Sequence, residues 1–287
     1  MADYSLAAIA ELGLKQTGKI APLLSSLSTT FYAPGEFTYQ DITKIPVYGR
    51  AAGTNTRWDP VNNNFASANG AITWKSVTFD KRYHATFRVE DFLSGKVDVN
   101  TAIEEGVNNM LYDFQADIFS LVTIANVPTV ATTAATPADF DDADILAIKT
   151  AGDAAKWGTS RSVILDNAYN NSLLKIYSQY NVIGTGDVIR SGSLGNIQGF
   201  NIIGTDVPDN GQHLMGFALD RSAIAVGITS IPPVEGALME TAVDNASGLT
   251  MTAYEFIDYP TRARMVSVEL VAGAVLGTNH IARIVSQ

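Results

Sequence analysis

Cysteine is absent from all 287 residues, so the fold carries no disulfide, no thiolate zinc site and no cysteine nucleophile. That absence fits a protein made in a reducing cytoplasm. Histidine is scarce. His84, His213 and His280 lie far apart, with no i,i+4 pair and no HExxH, so the residue most often used to move protons near neutral pH forms no visible cluster. Positive charge is in deficit as well. Nineteen Lys and Arg against 29 Asp and Glu leave a formal net charge of -10, which speaks against coating nucleic acid or binding anionic membranes. No run approaches about 18 uncharged apolar residues, so no membrane span is expected. The opening MADYSLAAIAELGLKQTGK lacks a basic stretch ahead of an unbroken apolar core, so it is not read as a secretory signal.

Catalytic signatures are missing too. Gly18-Lys19 precedes Ile20 and Gly95-Lys96 precedes Val97, so neither completes a phosphate-binding loop, which needs Ser or Thr after the Lys. The glycines from Gly184 to Gly199 do not make GxGxxG, and no GxSxG elbow occurs. The acidic run Asp139, Asp141, Asp142 and Asp144 lacks the Gly and the closing Glu of a calcium loop. It reads better as acids complementing the positive end of a helix. No catalytic residue, cofactor or metal is expected.

What is present is a well-filled globular composition, 46% apolar, long enough for two joined domains. Residues 4–27 carry apolar positions at loosely helical spacing, interrupted by Gly13, Gly18 and Pro22. They read as a short helix and then an arm that is hard to bury on its own domain and is expected to pack on a neighbour. Residues 76–89 alternate polar and apolar over 14 positions, broken once, at Lys81. That predicts one strand far longer than the usual five or six residues or so. A partner strand is expected near 43–50, with Ile45 and Val47 on one face, and a loose polar tip between. Residues 101–125 are the clearest helix: Thr101 to Glu104 matches a capping box, and Ile103, Val107, Met110, Leu111, Phe114 and Ile118 follow at steps of three and four. It would be roughly 36 Å long, with Gly106 weakening it by about 1 kcal/mol against Ala. After the connector NVPTVATTAATPA, helices are expected over 142–156 and 168–180. Strands are expected over 162–165, 200–204, 214–218, 223–228, 251–257 and 263–276, with a loop over 181–198.

This order of parts resembles the Hong Kong 97-type major capsid proteins of tailed phages. SRSVILDNAYNNSLLKIY is similar to that family's strand and helix. SGSLGNIQGFNIIGTDVP is similar to its loop, turn and strand. FALDRSAIAVGI and YPTRARMVSVELVAGAVLGTNHIARIV are similar to its later strands. The likeness covers nearly the whole chain, and the order of the motifs carries it.

The resemblance implies an α+β capsid fold with four parts. These are an N-terminal arm (1–36), an extended β-hairpin loop (37–89), a peripheral domain with a long spine helix (90–125 and 259–287) and an axial α/β domain (126–258). It implies a non-enzymatic shell subunit that assembles as pentamers and hexamers into an icosahedral head, located in the virion and assembled in the host cytoplasm. Its partners would be itself, portal and scaffolding proteins, possible decoration proteins, and DNA enclosed without sequence-specific binding, with no membrane. Contacts between subunits are expected at Arg57, Trp58, Phe65, Arg82, Arg88 and Arg190. Lys75, Lys81 and Asn279 are not paired by any motif, so crosslinking between subunits is not expected. A bacterial nanocompartment shell of the same fold is the nearest rival, and an enzyme with an α/β domain a remote one.

Overall fold

A computed structural model of the chain describes residues 5–32, 36–37, 39–48, 58–59, 64–65, 72–93, 98–179, 194–208, 211–230, 238–243 and 249–286. In chain order the first elements are α1 (Leu6–Gln16), α2 (Ala21–Ser25), β1 (Ser28–Phe31), β2 (Ile42–Tyr48), β3 (Trp58–Asp59), β4 (Asn64–Phe65), β5 (Ile72–Thr78) and β6 (Lys81–Arg88). Then come α3 (Val89–Leu93), α4 (Val99–Ser120), β7 (Val130–Thr133), α5 (Asp142–Ala154), β8 (Arg161–Asp166) and α6 (Asn167–Gln179). The last are β9 (Asn196–Ile197), β10 (Phe200–Thr205), β11 (Leu214–Asp220), β12 (Ile224–Thr229), β13 (Leu238–Val243), β14 (Thr250–Asp258), β15 (Ala263–Leu276) and β16 (Ile281–Val285). Among the described residues no helix is long and apolar enough to cross a membrane.

The chain divides into two compact units. The first holds residues 1–43, 76–122 and 225–275; the second holds 44–75, 123–224 and 276–287. These bounds differ from the expected segments. Residues 225–258 belong with the long helix because β12, β13 and β14 share one sheet with β15. Residues 276–287 leave that sheet because β16 inserts between β7 and β11.

In the first unit the sheet runs β1-β12-β15-β14-β13, and β6 also pairs with β15. The stripe of α4 that the spacing picks out is buried from Ile103 through Ile118, and Phe119 is buried beside it. Truncating a side chain such as Phe114 there would cost about 3–5 kcal/mol. The helix starts earlier than the expected capping box. Asp98 is the N-cap, and its Oδ2 accepts from the Thr101 backbone N–H at 3.0 Å and the Thr101 hydroxyl at 2.6 Å. Gly106 has a packing reason: a Cβ there would press on the ring of Phe87.

The N-terminal segment does not wait for a neighbour. α1 packs on β13, β14 and α4 of its own unit, and Ile9, Ala10, Leu23, Leu24 and Leu27 are buried there. Its interruptions are what make this possible. At Gly13 a Cβ would sit 3.1 Å from the Met251 sulfur and 3.2 Å from Val268, so only glycine lets the helix come this close without displacing them. Pro22 falls in the first turn of α2, where its missing N–H costs nothing.

The long strand expected over 76–89 is two strands. β5 pairs with β2 and β6 pairs with β15, with Phe79 and Asp80 between. Phe79 is fully buried against Val271, Tyr32 and Phe37. Its backbone is held by Gln40, which donates to its carbonyl at 2.7 Å, and by Asp41, which accepts from its N–H at 2.9 Å. Lys81, the single break in the alternation, opens the second strand. Gly273 of β15 faces this junction, and any Cβ there would strike the Thr78 carbonyl group.

In the second unit the sheet runs β7-β16-β11-β8-β10-β9. β8 is parallel to β10 and antiparallel to β11. Helices α5 and α6 bury Ile145, Ile148, Tyr169 and Leu173 against Val163, Leu165 and Phe200. Three of the four acids of the run, Asp139, Asp141 and Asp144, cap helical turns, while Asp142 lies in the first turn of α5. Asp141 accepts from the Ala143 N–H at 2.8 Å, and Asp144 accepts from the Asp141 N–H at 3.0 Å. Asp139 accepts in the same way from the Thr136 N–H. β2 contributes Ile45 and Val47, both buried, as expected.

The Asp98 carboxyl is held below its ordinary range by the Thr101 hydroxyl and then by the Thr101 N–H. Because the folded value is depressed, its contribution to stability is full above the ordinary Asp value and is lost as pH falls through the lowered one. Asp98→Ser keeps a good cap but does not titrate. Urea unfolding of this variant across the acid range should show a shallower loss of stability than the parent.

Candidate assembly surfaces

The even-numbered residues of β6 turn outward because side chains alternate along a strand. Arg82, His84, Thr86 and Arg88 stand opposite Val271, Glu269, Ser267 and Met265 of β15. Glu269 is the unusual member, a carboxylate only 2% exposed in the middle of a strand. It is satisfied three ways. Arg82 Nε donates to its Oε2 at 2.6 Å, Ser267 donates to Oε1 at 3.2 Å, and the Tyr254 phenol donates to the same oxygen. Thr86 and Ser267 extend the network at 3.0 Å. Burial, then the bond to Glu269, holds the Tyr254 phenol above its ordinary range.

A second cluster lies where β6 meets α4. Tyr83 donates to Asp117 Oδ2 at 2.7 Å, and Lys81 lies 3.6 Å from the other oxygen. An open recess of about 490 Å³ beside them is lined also by Tyr39, Asp80 and Asp113. Burial first, then Asp117, keeps the Tyr83 phenol protonated well beyond the neutral range. The titratable lining of the recess is Asp80, Lys81, Asp113 and Asp117 with the phenols of Tyr39 and Tyr83.

Large apolar side chains are exposed at several places among the described residues, Ile42, Ile124 and Leu146 included. Trp74 on β5 is 61% exposed. At the β13–β14 end of the first unit's sheet, Leu238, Ile257 and Tyr259 are 65%, 58% and 87% exposed. None of these was singled out from sequence. Trp74 could have been: extended back two residues, the alternation of 76–89 puts it on the polar side.

No family model matches the sequence, and no curated protein matches it. Solved structures do. The capsid of Ralstonia phage GP4 aligns with a TM-score of 0.51 and 10% identity, over 91% of this chain and 87% of that one. The capsid structure of the cyanophage P-SCSP1u aligns at 0.50 and 13%, over 91% and 87%. The chain has a phage-capsid fold. A virus-like particle from Pyrococcus furiosus aligns over 98% of both chains at 12% identity, with a TM-score of 0.49.

Four of the six residues expected to join subunits are among the described residues. Arg57 and Arg190 lie outside the described residues. Trp58 and Phe65 stand opposite each other in the β3–β4 pair. Arg88 is exposed at the end of β6, next to the Glu90 charge. Arg82 has a partner inside its own chain, Glu269, and keeps about half of its side chain open, 46%.

Proposed function

We propose that this chain is the major capsid protein of a tailed phage, a non-enzymatic subunit that assembles with itself into pentamers, hexamers and a closed icosahedral head. The observation that carries the reading is the phage-capsid fold, which runs over nine tenths of the chain and most of each capsid chain it matches. Leu238, Ile257 and Tyr259, exposed together at the β13–β14 end, support it, because a contiguous apolar patch marks a site of interaction. The head would enclose DNA without reading its sequence, in keeping with a net charge of -10. Portal, scaffolding and decoration proteins would be separate partners, and assembly would take place in the host cytoplasm. Residues 37–89 would reach an adjacent subunit, with Arg57, Trp58, Phe65, Arg82, Arg88 and Arg190 among the contacts.

Negative-stain electron microscopy and native mass spectrometry of the purified chain test this. Closed particles, or pentamers and hexamers, are expected. Monomers that persist at high concentration would overturn it.

A further inference from the structure

We infer that the β13–β14 end of the first unit's sheet is a two-fold contact between copies of this chain, centred on Leu238 and Ile257. The inference deepens the function proposed above and names a surface for it.

The register places the groups in a line. Glu240 stands opposite Ala253, and Leu238 stands opposite Glu255. Ile257 follows two residues on, on the same side of the strand, and Tyr259 follows in the turn with Arg262. Leu238, Ile257 and Tyr259 are three of the most exposed large apolar side chains described. Arg264 and Glu255, in the middle of the line, neutralise each other in an ion pair. The ends are different. The Glu240 and Arg262 side chains are exposed, and among the described residues neither has a hydrogen-bond or ion-pair partner, whereas Asp258, in the turn beside Arg262, is half-buried and accepts from the Thr261 hydroxyl.

The surface is therefore an acid, a middle of apolar groups around one neutralised ion pair, and a cation, in that order. An acidic or a basic partner would match one end and be repelled at the other. A second copy turned by two-fold rotation matches both: Glu240 of each meets Arg262 of the other, and the apolar middles cover each other. Such self-complementarity is what an isologous contact requires. Aromatic and apolar groups at the centre with charges at the rim is the usual anatomy of a contact that holds.

The complete absence of cysteine makes the test direct. Ile257→Cys places a lone thiol beside the inferred axis, where a disulfide can close only if two Cα atoms come within about 7 Å. Under mild oxidation, Ile257→Cys, or its mixture with Leu238→Cys, should give disulfide dimers. The yield should exceed that of the exposed control Thr150→Cys by about tenfold. Glu240→Arg or Arg262→Glu in that background should each lower the yield by about tenfold, and the two together should restore it. Dimer yields no higher than the control, or a double reversal that fails to restore them, would overturn the inference. The outcome is independent of shell closure. Crosslinked dimers from a chain that forms no particles would count against the proposed function and leave this contact standing. A parent that closes particles while the thiols stay unpaired would do the reverse.

Discussion

Gly273→Ala should cost the first unit about 3 kcal/mol or more and leave little folded protein at 37 °C. A methyl group at this position would collide with the Thr78 carbonyl carbon and oxygen and with the Val77 side chain. Two of those three atoms are backbone. They are fixed by the β2–β5 pairing just before the chain turns at Phe79, so they cannot swing aside as a side-chain tip would. Chemical unfolding of the purified variant checks this. A midpoint within error of the parent would mean that the junction at 78–80 is loose and that the close approach carries no stability. Gly106→Ala is a useful comparison: there the obstacle is the far end of the Phe87 ring, which can tilt, so a smaller loss is expected.

Arg82→Ala should destabilise by about 3 kcal/mol, at the low end of the range for breaking a buried ion pair. The reason is Glu269, not Arg82. The arginine keeps about half of its surface in water, but the carboxylate it neutralises is almost entirely enclosed. Tyr254 and Ser267 would still donate to one oxygen, which limits the loss. Replacing both partners, Arg82→Leu with Glu269→Leu, should be milder than Arg82→Ala alone, because no uncompensated charge is left inside. Denaturant midpoints for the three proteins decide the matter. A double variant less stable than the single one would show that the pair contributes more than charge balance.

Most elements that depend on local pattern were legible in the sequence. The stripe of α4 follows from spacing alone, as do α5, the β8–α6–β10 succession and the long β15. What was not legible depends on partners far along the chain. The alternation through 76–89 is real, but it cannot say that β5 bonds to β2 while β6 bonds to β15. The bond of Arg82 to Glu269 joins residues 187 apart, so no local pattern shows it. β13 escaped notice because an edge strand with both sides partly exposed has no clean period to detect. β16 was assigned with β15 by proximity in sequence; buried on both sides, it belongs to the other sheet. Gly13 interrupts the helical pattern in the sequence, but in the fold it is where α1 approaches Met251 and Val268.

The interleaving of the two units also sets a schedule. Arg88 of β6 finds its ladder partner at Met265, and the second unit's sheet has β16 inside it rather than at its edge. During synthesis, at about 5–20 residues per second, β6 and α4 would wait roughly ten to thirty seconds after leaving the ribosome before β15 emerges. The second sheet would be completed last, once β16 has emerged. An incomplete chain has neither a finished sheet behind Leu238 and Ile257 nor a stable place for the β2–β5 pair. In the proposed shell, subunits could not begin to join while still being translated, so translation itself would put folding ahead of assembly.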